Sequence, residues 1–265
     1  MTSMKGRVLI AAGSDSGGGA GIQADIKAVT ALGGFAATAI TALTAQNTLG
    51  VHGIQEVPID FVRQQIAVVL DDIGADAIKT GMLHRVEVIE AVVESLDSCD
   101  APLVADPVMV AKGGARLLDQ GATEAVISVL LPRAAVVTPN IPEAEVLAGM
   151  EIDGVDGMKR AAEKLLSLGP RAVLLKGGHL DGPRLTDLLL TEAGFEVFEG
   201  QRIETKHTHG TGCTTASALA AGLAQGMGLT DAFARARTYV QEAIRTAPGY
   251  GAGHGPLNHA HTVKL

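Results

Sequence analysis

Tryptophan is missing from this chain of 265 residues, and aromatic residues amount to only 3%. That leaves little material for stacking bases, and a net charge of −8 removes the basic surface a nucleic acid would need. A small anionic ligand stays admissible, because backbone N–H groups hold phosphate even on an acidic protein. Cysteine is scarce as well. Cys99 and Cys213 are too few for a disulfide framework, and their spacing suggests no metal site. Long apolar runs are also absent. Val8 to Ala12 is too short for a signal-peptide core. Ala28 to His52 lacks charge, but Gly33-Gly34, several Thr, Gln46 and Asn47 interrupt it, so it reads as helix, turn and buried strand, not a membrane span. No Gly-Lys pair occurs, which excludes a Walker-type loop, and the glycines from Gly13 to Gly21 miss the spacing of a dinucleotide fingerprint. Without a low-complexity linker or an internal repeat, one domain over 1–265 and a soluble, cytoplasmic chain are expected.

What is present is the composition of a globular core, 47% hydrophobic and 19% charged. Strand-like and helix-like stretches alternate along it. Arg7 to Ala12 reads as a strand, Ile22 to Leu32 as a helix ended by Gly33-Gly34, and Ala36 to Thr44 as a strand. A helix over Asp60 to Asp72 follows, with Asp60 as N-cap and Phe61, Ile66, Val69 and Leu70 on one face. The next strands are Ala77 to Thr80, Leu103 to Ala105, Val136-Val137 and Ala172 to Lys176. Helices over Arg85 to Leu96, from Pro142 onward, and over Val155 to Leu168 lie among them. Arg184 to Leu190 and Phe195 to Gln201 read as a hairpin, and helices over Thr215 to Gln225 and Thr230 to Ala247 close the chain. This pattern predicts a mostly parallel central sheet with helices on both faces and a small hairpin near one edge.

In such a sheet the C-terminal ends of the strands share one edge, where ligands bind. Asp25, Gln46, Met82, Asp106, Asn140, Glu143, Lys176 and the turn Thr208-His209-Gly210-Thr211-Gly212-Cys213-Thr214 all fall at or just after such ends. The turn, with glycines at 210 and 212, feeds a helix start and offers unpaired N–H groups to an anion. Its helix field favours the Cys213 thiolate. Taken singly, each feature has a plain structural reading, such as a tight turn with a buried Cys or a turn amide on nearby backbone. Together they suit phosphoryl transfer. Asn140 and Glu143, with Asp106, would hold Mg²⁺ or its waters, and Lys176 would neutralise a phosphate. The N–H groups from Gly210 to Cys213 would stabilise the phosphoryl oxygens, and Cys213 would act as a modest base for an acceptor hydroxyl. Cys213 as covalent nucleophile is the competing possibility.

Several blocks carry a resemblance. They are Ala12-Gly13-Ser14-Asp15-Ser16 through Gly21-Ile22-Gln23-Ala24-Asp25, Thr38 to Thr48, and Asp106-Pro107-Val108-Met109-Val110-Ala111-Lys112. Thr138 to Glu145, Lys176-Gly177-Gly178-His179 and Thr208 to Thr214 extend it, so the match runs from about Val8 to His259. In these stretches the chain resembles the hydroxymethylpyrimidine and phosphomethylpyrimidine kinases of thiamine synthesis. The resemblance implies a ribokinase-like fold, ATP with Mg²⁺, and two successive phosphorylations of a small pyrimidine. It places Gln46 on the aminopyrimidine edge, with Gly13, Asp25 and Met82 lining the same pocket. Lys176, Thr208, Gly210 and Gly212 would bind the nucleotide, and Gly210, Thr211, Gly212, Cys213 and Lys176 would serve transfer. Gly17, where many members have Ser, and Lys206-His207 before the last turn depart from the pattern. Pyridoxal kinases of the same branch share the Cys turn, so pyridoxal or pyridoxine is the rival substrate. A pyrimidine-binding protein without catalysis is the rival from another class. The expected partner is a small pyrimidine, with neither nucleic acid nor membrane, and a homodimer is left open as the assembly.

Overall fold

The computed structural model describes residues 4–110, 114, 117–119, 121–180 and 182–263. Its strands are β1 (Arg7–Asp15), β2 (Phe35–Asn47), β3 (Gly50–Glu56), β4 (Ala77–Thr80), β5 (Leu103–Ala105), β6 (Val136–Val137), β7 (Val173–Leu175), β8 (Arg184–Thr191) and β9 (Gly194–Gln201). The helices are α1 (Gly21–Ala31), α2 (Ile59–Asp72), α3 (Val86–Ser95), α4 (Ala122–Ala125), α5 (Leu131–Arg133), α6 (Ile141–Ala148), α7 (Gly154–Leu166), α8 (Thr211–Ala224) and α9 (Leu229–Arg245). Among the described residues the strands form one sheet in the order β3-β2-β1-β4-β5-β6-β7-β8-β9. From β2 to β7 every pairing is parallel, while β3 at one edge and β8–β9 at the other are antiparallel. The strand order reverses beside β1, which has β2 on one side and β4 on the other. At that reversal the connections diverge and leave a crevice over the strand ends.

Both faces of the sheet are covered, so its central strands are apolar on both sides. Val8 and Ile10 of β1, Val104, Val136 and Leu174 pack with Val29 of α1, Leu219 of α8 and Phe233 of α9. Leu9 and Ala11, with Ile78, Ala105, Val137 and Leu175, pack on the other side with Ile66 of α2, Ile89 of α3, Leu147 of α6 and Leu165 of α7. The expected ribokinase-like α/β architecture with an edge hairpin is what forms.

Several local expectations shift. β1 runs past Ala12 to Asp15, because after an irregularity in register Ser14 and Asp15 go on pairing with Leu43 and Thr44. Residues 50–56, which the sequence pattern left unassigned, pair with the end of β2 as β3. α2 starts one residue early, with Pro58 at the N-cap and Asp60 inside its first turn. Ile66, Val69 and Leu70 face the core as expected, while Val62 takes the place given to Phe61, which is exposed. α8 begins at Thr211 rather than 215, which turns Gly212 and Cys213 into first-turn residues. The stretch 122–133, also unassigned, is helical, with a π-helical piece over Val126–Leu130 between α4 and α5. Ala111 and Lys112 of the Asp106 block lie outside the described residues. Among the described residues, no helix is long and apolar enough to cross a membrane.

Candidate active site

A cavity of about 910 Å³ opens over the C-terminal ends of the parallel strands. Gly13 from β1, Gln46 from β2, Met82 after β4, Asp106 after β5 and Lys176 after β7 line it. So do Asn140 and Glu143 at the start of α6, and Thr208, Gly210, Thr211, Gly212 and Cys213 at the start of α8. Residues up to 200 positions apart, Gly13 and Cys213, thus share one crevice because parallel strands place their ends side by side. Asp25 does not join them. It lies on the buried face of α1, wholly inaccessible, with Lys79 Nζ at 2.8 Å and Ser217 Oγ donating to it at 2.7 Å. Its carboxylate is committed to that buried pair, which corrects the expectation that it lines the substrate pocket.

The start of α8 has the make-up that an anion site needs. Gly210 is its N-cap at φ 84°, and a Cβ there would lie 1.8 Å from the Gly19 carbonyl oxygen, so only glycine fits. No side-chain cap occupies the first-turn N–H groups. A Cβ on Gly212 would sit 3.3 Å from Lys176 Nζ and 3.8 Å from Asp106 Oδ2, which brings the ammonium up to the helix start. Lys176 donates to Asp106 Oδ1 at 2.9 Å, and Thr138 Oγ1 donates to the same oxygen at 3.0 Å. Asp106 Oδ2 is buried and has no hydrogen-bond partner.

That orphan oxygen bears on a cation. Among the described residues no three His, Cys, Asp or Glu side chains gather as a ready-made metal cage. Asn140 Oδ1 is used, because it accepts from the Glu143 N–H at 3.0 Å while Glu143 Oε2 accepts from the Asn140 N–H at 2.9 Å. This reciprocal capping box starts α6 and engages one oxygen of each side chain. Burial pushes the Glu143 carboxyl up to about 7, with Lys176 opposing and Asp106 adding to the rise. One free carboxylate oxygen on Asp106 beside a buried acid suits Mg²⁺, which keeps waters and takes most of its other ligands from phosphates.

Cys213 departs from expectation. Burial pushes its thiol up to about 12, Lys79 pulls it down, and Asp25 and Asp106 add to the rise. Desolvation outweighs the pull of Lys79 and of the Gly21 N–H here, so the resting group is the thiol. The other wall of the cavity is apolar: Met82 and Leu117 pack with Ala42 and the half-buried Val108. Met82 can lie there because Gly13 has no side chain, since a Cβ would meet Met82 Cε at 2.3 Å.

Three charged residues that sequence reasoning passed over organise the site. Asp15 accepts from the N–H groups of Gly17, Gly19 and Ala20 and from His209 Nε2 at 2.9 Å. Burial would raise its carboxyl, but these bonds, His209 first, hold it below its ordinary value. Lys79 is a fully buried ammonium within a four-residue strand. Asp187 accepts from the Gly177 N–H at 3.0 Å and from Arg237 Nε at 3.0 Å, tying the residue after Lys176 to α9. A lone charge within an apolar strand was the available signal for Lys79 and Asp187.

A family model described as phosphomethylpyrimidine kinase matches residues 15–258. The hydroxymethylpyrimidine/phosphomethylpyrimidine kinase of Bacillus subtilis is 48% identical over 255 residues, covering 96% of this chain and 94% of that protein. The thiamine biosynthesis bifunctional protein ThiED of Geobacter sulfurreducens is 54% identical over 96% of this chain, which spans about half (52%) of that protein's length. In structure, the pyridoxal kinase of Staphylococcus aureus in complex with pyridoxal superposes with a TM-score of 0.91 at 36% identity, over 98% of this chain and 96% of that one. On these matches and this geometry, the chain belongs to the phosphomethylpyrimidine kinase family.

Proposed function

We infer that this chain is a hydroxymethylpyrimidine and phosphomethylpyrimidine kinase of thiamine synthesis. It transfers a phosphoryl group from ATP to 4-amino-5-hydroxymethyl-2-methylpyrimidine and then a second to the monophosphate. The observation that carries the reading is the meeting, in one cavity, of a helix start without a side-chain cap, the Lys176–Asp106 pair and an apolar wall beside Gln46. The ring rests against Met82, Val108 and Leu117, and the Gln46 amide reads the amine and the neighbouring ring nitrogen. Thr208, Gly210 and Gly212 leave the nucleotide phosphates access to backbone, and Lys176 meets them as a point charge. Mg²⁺, held through Asp106 Oδ2 and Glu143 with phosphate oxygens and water, would neutralise charge on the bridging phosphates.

The first-turn N–H groups of α8 face the phosphoryl oxygens as charge spreads over them. A loose transition state asks for positioning more than for a strong base. The Cys213 thiol therefore orients the acceptor hydroxyl, and the base role expected of it would need a thiolate that burial disfavours. One kinase domain in the cytoplasm, assembled as a homodimer, belongs to the same proposal. Exposed Leu49 and Ile54 near the β3 edge are apolar residues that a second copy would cover.

Pyridoxal is the second reading, favoured by the likeness to the Staphylococcus aureus enzyme. The deciding experiment offers hydroxymethylpyrimidine, its monophosphate and pyridoxal, separately, to the protein with ATP and Mg²⁺ and weighs the products by mass spectrometry. Conversion of the first through monophosphate to diphosphate is expected. Activity on pyridoxal alone overturns the substrate and the pathway, and nucleotide binding without turnover on any of the three leaves a binding protein.

A further inference from the structure

Gln46 closes the pyrimidine pocket, and its surroundings decide more than its presence. Its Nε2 stands 3.3 Å from His209 Nε2, and its Oε1 lies 3.2 Å from Thr44 Oγ1. Neither contact is chemically sound in that sense. Asp15 Oδ2 accepts from His209 Nε2 at 2.9 Å and from two backbone N–H groups, so His209 must carry its hydrogen on Nε2. An amide NH₂ facing that N–H sets donor against donor. Thr44 has a single hydroxyl hydrogen and donates it to the Ser14 carbonyl at 2.9 Å, which leaves none for Gln46 Oε1.

A half-turn of the amide resolves both conflicts, since the two ends of a glutamine are told apart only by their partners. Oε1 then accepts from His209 Nε2–H, shared with Asp15, and Nε2 donates to the free lone pairs of Thr44 Oγ1. We propose that His209, locked by Asp15 on one side and backed by Thr44 on the other, fixes the orientation of the Gln46 amide and thereby selects the substrate's hydrogen-bonding edge. The acceptor end of Gln46 lies on the His209 side and the donor end on the Thr44 side. An amine flanked by an acceptor ring nitrogen matches that order, with the amine toward His209. An isostere carrying an oxo group and a ring N–H presents the reverse order and is rejected.

The surroundings make the lock rigid. A Cβ on Gly19 would come within 2.4 Å of His209 Cδ2, so the glycine loop lies directly against the ring. The His209 backbone N–H donates to the Gly255 carbonyl at 3.2 Å, which ties the main chain that carries the ring to the far end of the sequence. His209 is a positioning residue, because it acts on the substrate through Gln46.

This proposal rests on the reading that Gln46 contacts the substrate, and the experiment separates the two. The quantity measured is the ratio of kcat/KM for hydroxymethylpyrimidine to that for its 4-oxo counterpart, with ATP and Mg²⁺. His209→Leu should lower that ratio roughly ten- to a hundredfold, the worth of one buried polar group left without its partner. His209→Gln, which keeps an N–H near the same place, should restore most of it. Thr44→Val keeps the volume, removes only the hydroxyl, and should lower the ratio in the same direction, so the test survives if the His209 variants fold poorly. Unchanged ratios in folded His209→Leu and Thr44→Val overturn the proposal. An unchanged KM for the pyrimidine in Gln46→Ala would instead remove the underlying reading.

Discussion

Lys79 and Asp25 form an ion pair of 2.8 Å in which both side chains are wholly inaccessible. Lys79→Met keeps most of the volume and removes the cation. Asp25 is then left in the interior with Ser217 Oγ as its remaining side-chain donor. Breaking a buried pair on one side costs about 3–5 kcal/mol, whereas replacing both partners by apolar groups is close to neutral. The single variant should therefore lose about that much in urea denaturation at pH 7, and Lys79→Met/Asp25→Leu should regain most of it.

The same variant carries a pH signature. Burial already raises the Asp25 carboxyl in the intact protein, and losing Lys79 raises it further. A carboxyl whose folded value is raised binds more protons in the native state than in the unfolded one. Stability of Lys79→Met should then fall as pH rises above about 4, by up to about 1.4 kcal/mol per pH unit, until the raised folded value is passed. The double variant lacks the carboxyl and should lose that slope. A single variant that loses under about 1 kcal/mol and shows no added slope would refute the account of Asp25 as a paired buried charge.

Three further outcomes follow from the site. Gly210→Ala forces a side chain into positive φ and onto the Gly19 carbonyl, so it should destabilise by about 2 kcal/mol or more and abolish turnover; thermal unfolding and a coupled kinase assay check both. Cys213→Ala should lower kcat while leaving the Kd for a non-hydrolysable ATP analogue nearly unchanged by calorimetry, and unchanged kcat would remove Cys213 from the transfer step. With its thiol pushed up to about 12, Cys213 should be alkylated slowly at pH 7.5, with a rate still rising tenfold per pH unit near pH 10. Peptide mapping after iodoacetamide would show this, and a plateau near pH 8 would contradict it.

The amino-acid sequence by itself determined the alternation of strands and helices, the parallel sheet and the edge at which its loops meet. Period and turn chemistry are local properties, readable wherever Gly33-Gly34 or Pro142 punctuates an apolar run. Because parallel strand ends share an edge, Gln46, Met82, Asp106 and Lys176 could be expected together before any contact was visible. Only the tertiary structure decided the protonation and pairing of the charged groups. Periodicity put Asp25 near the glycine loop, yet whether it faced the cavity or Lys79 depended on how α1 lies against α8. Cys213 looked activated from its helix start, and desolvation by side chains distant in sequence reversed that. The contact of Asp15 with His209 joins residues 194 positions apart, and no local pattern encodes it. Desolvation and charge pairing depend on which surfaces the fold presses together, and that is settled only when the layers close.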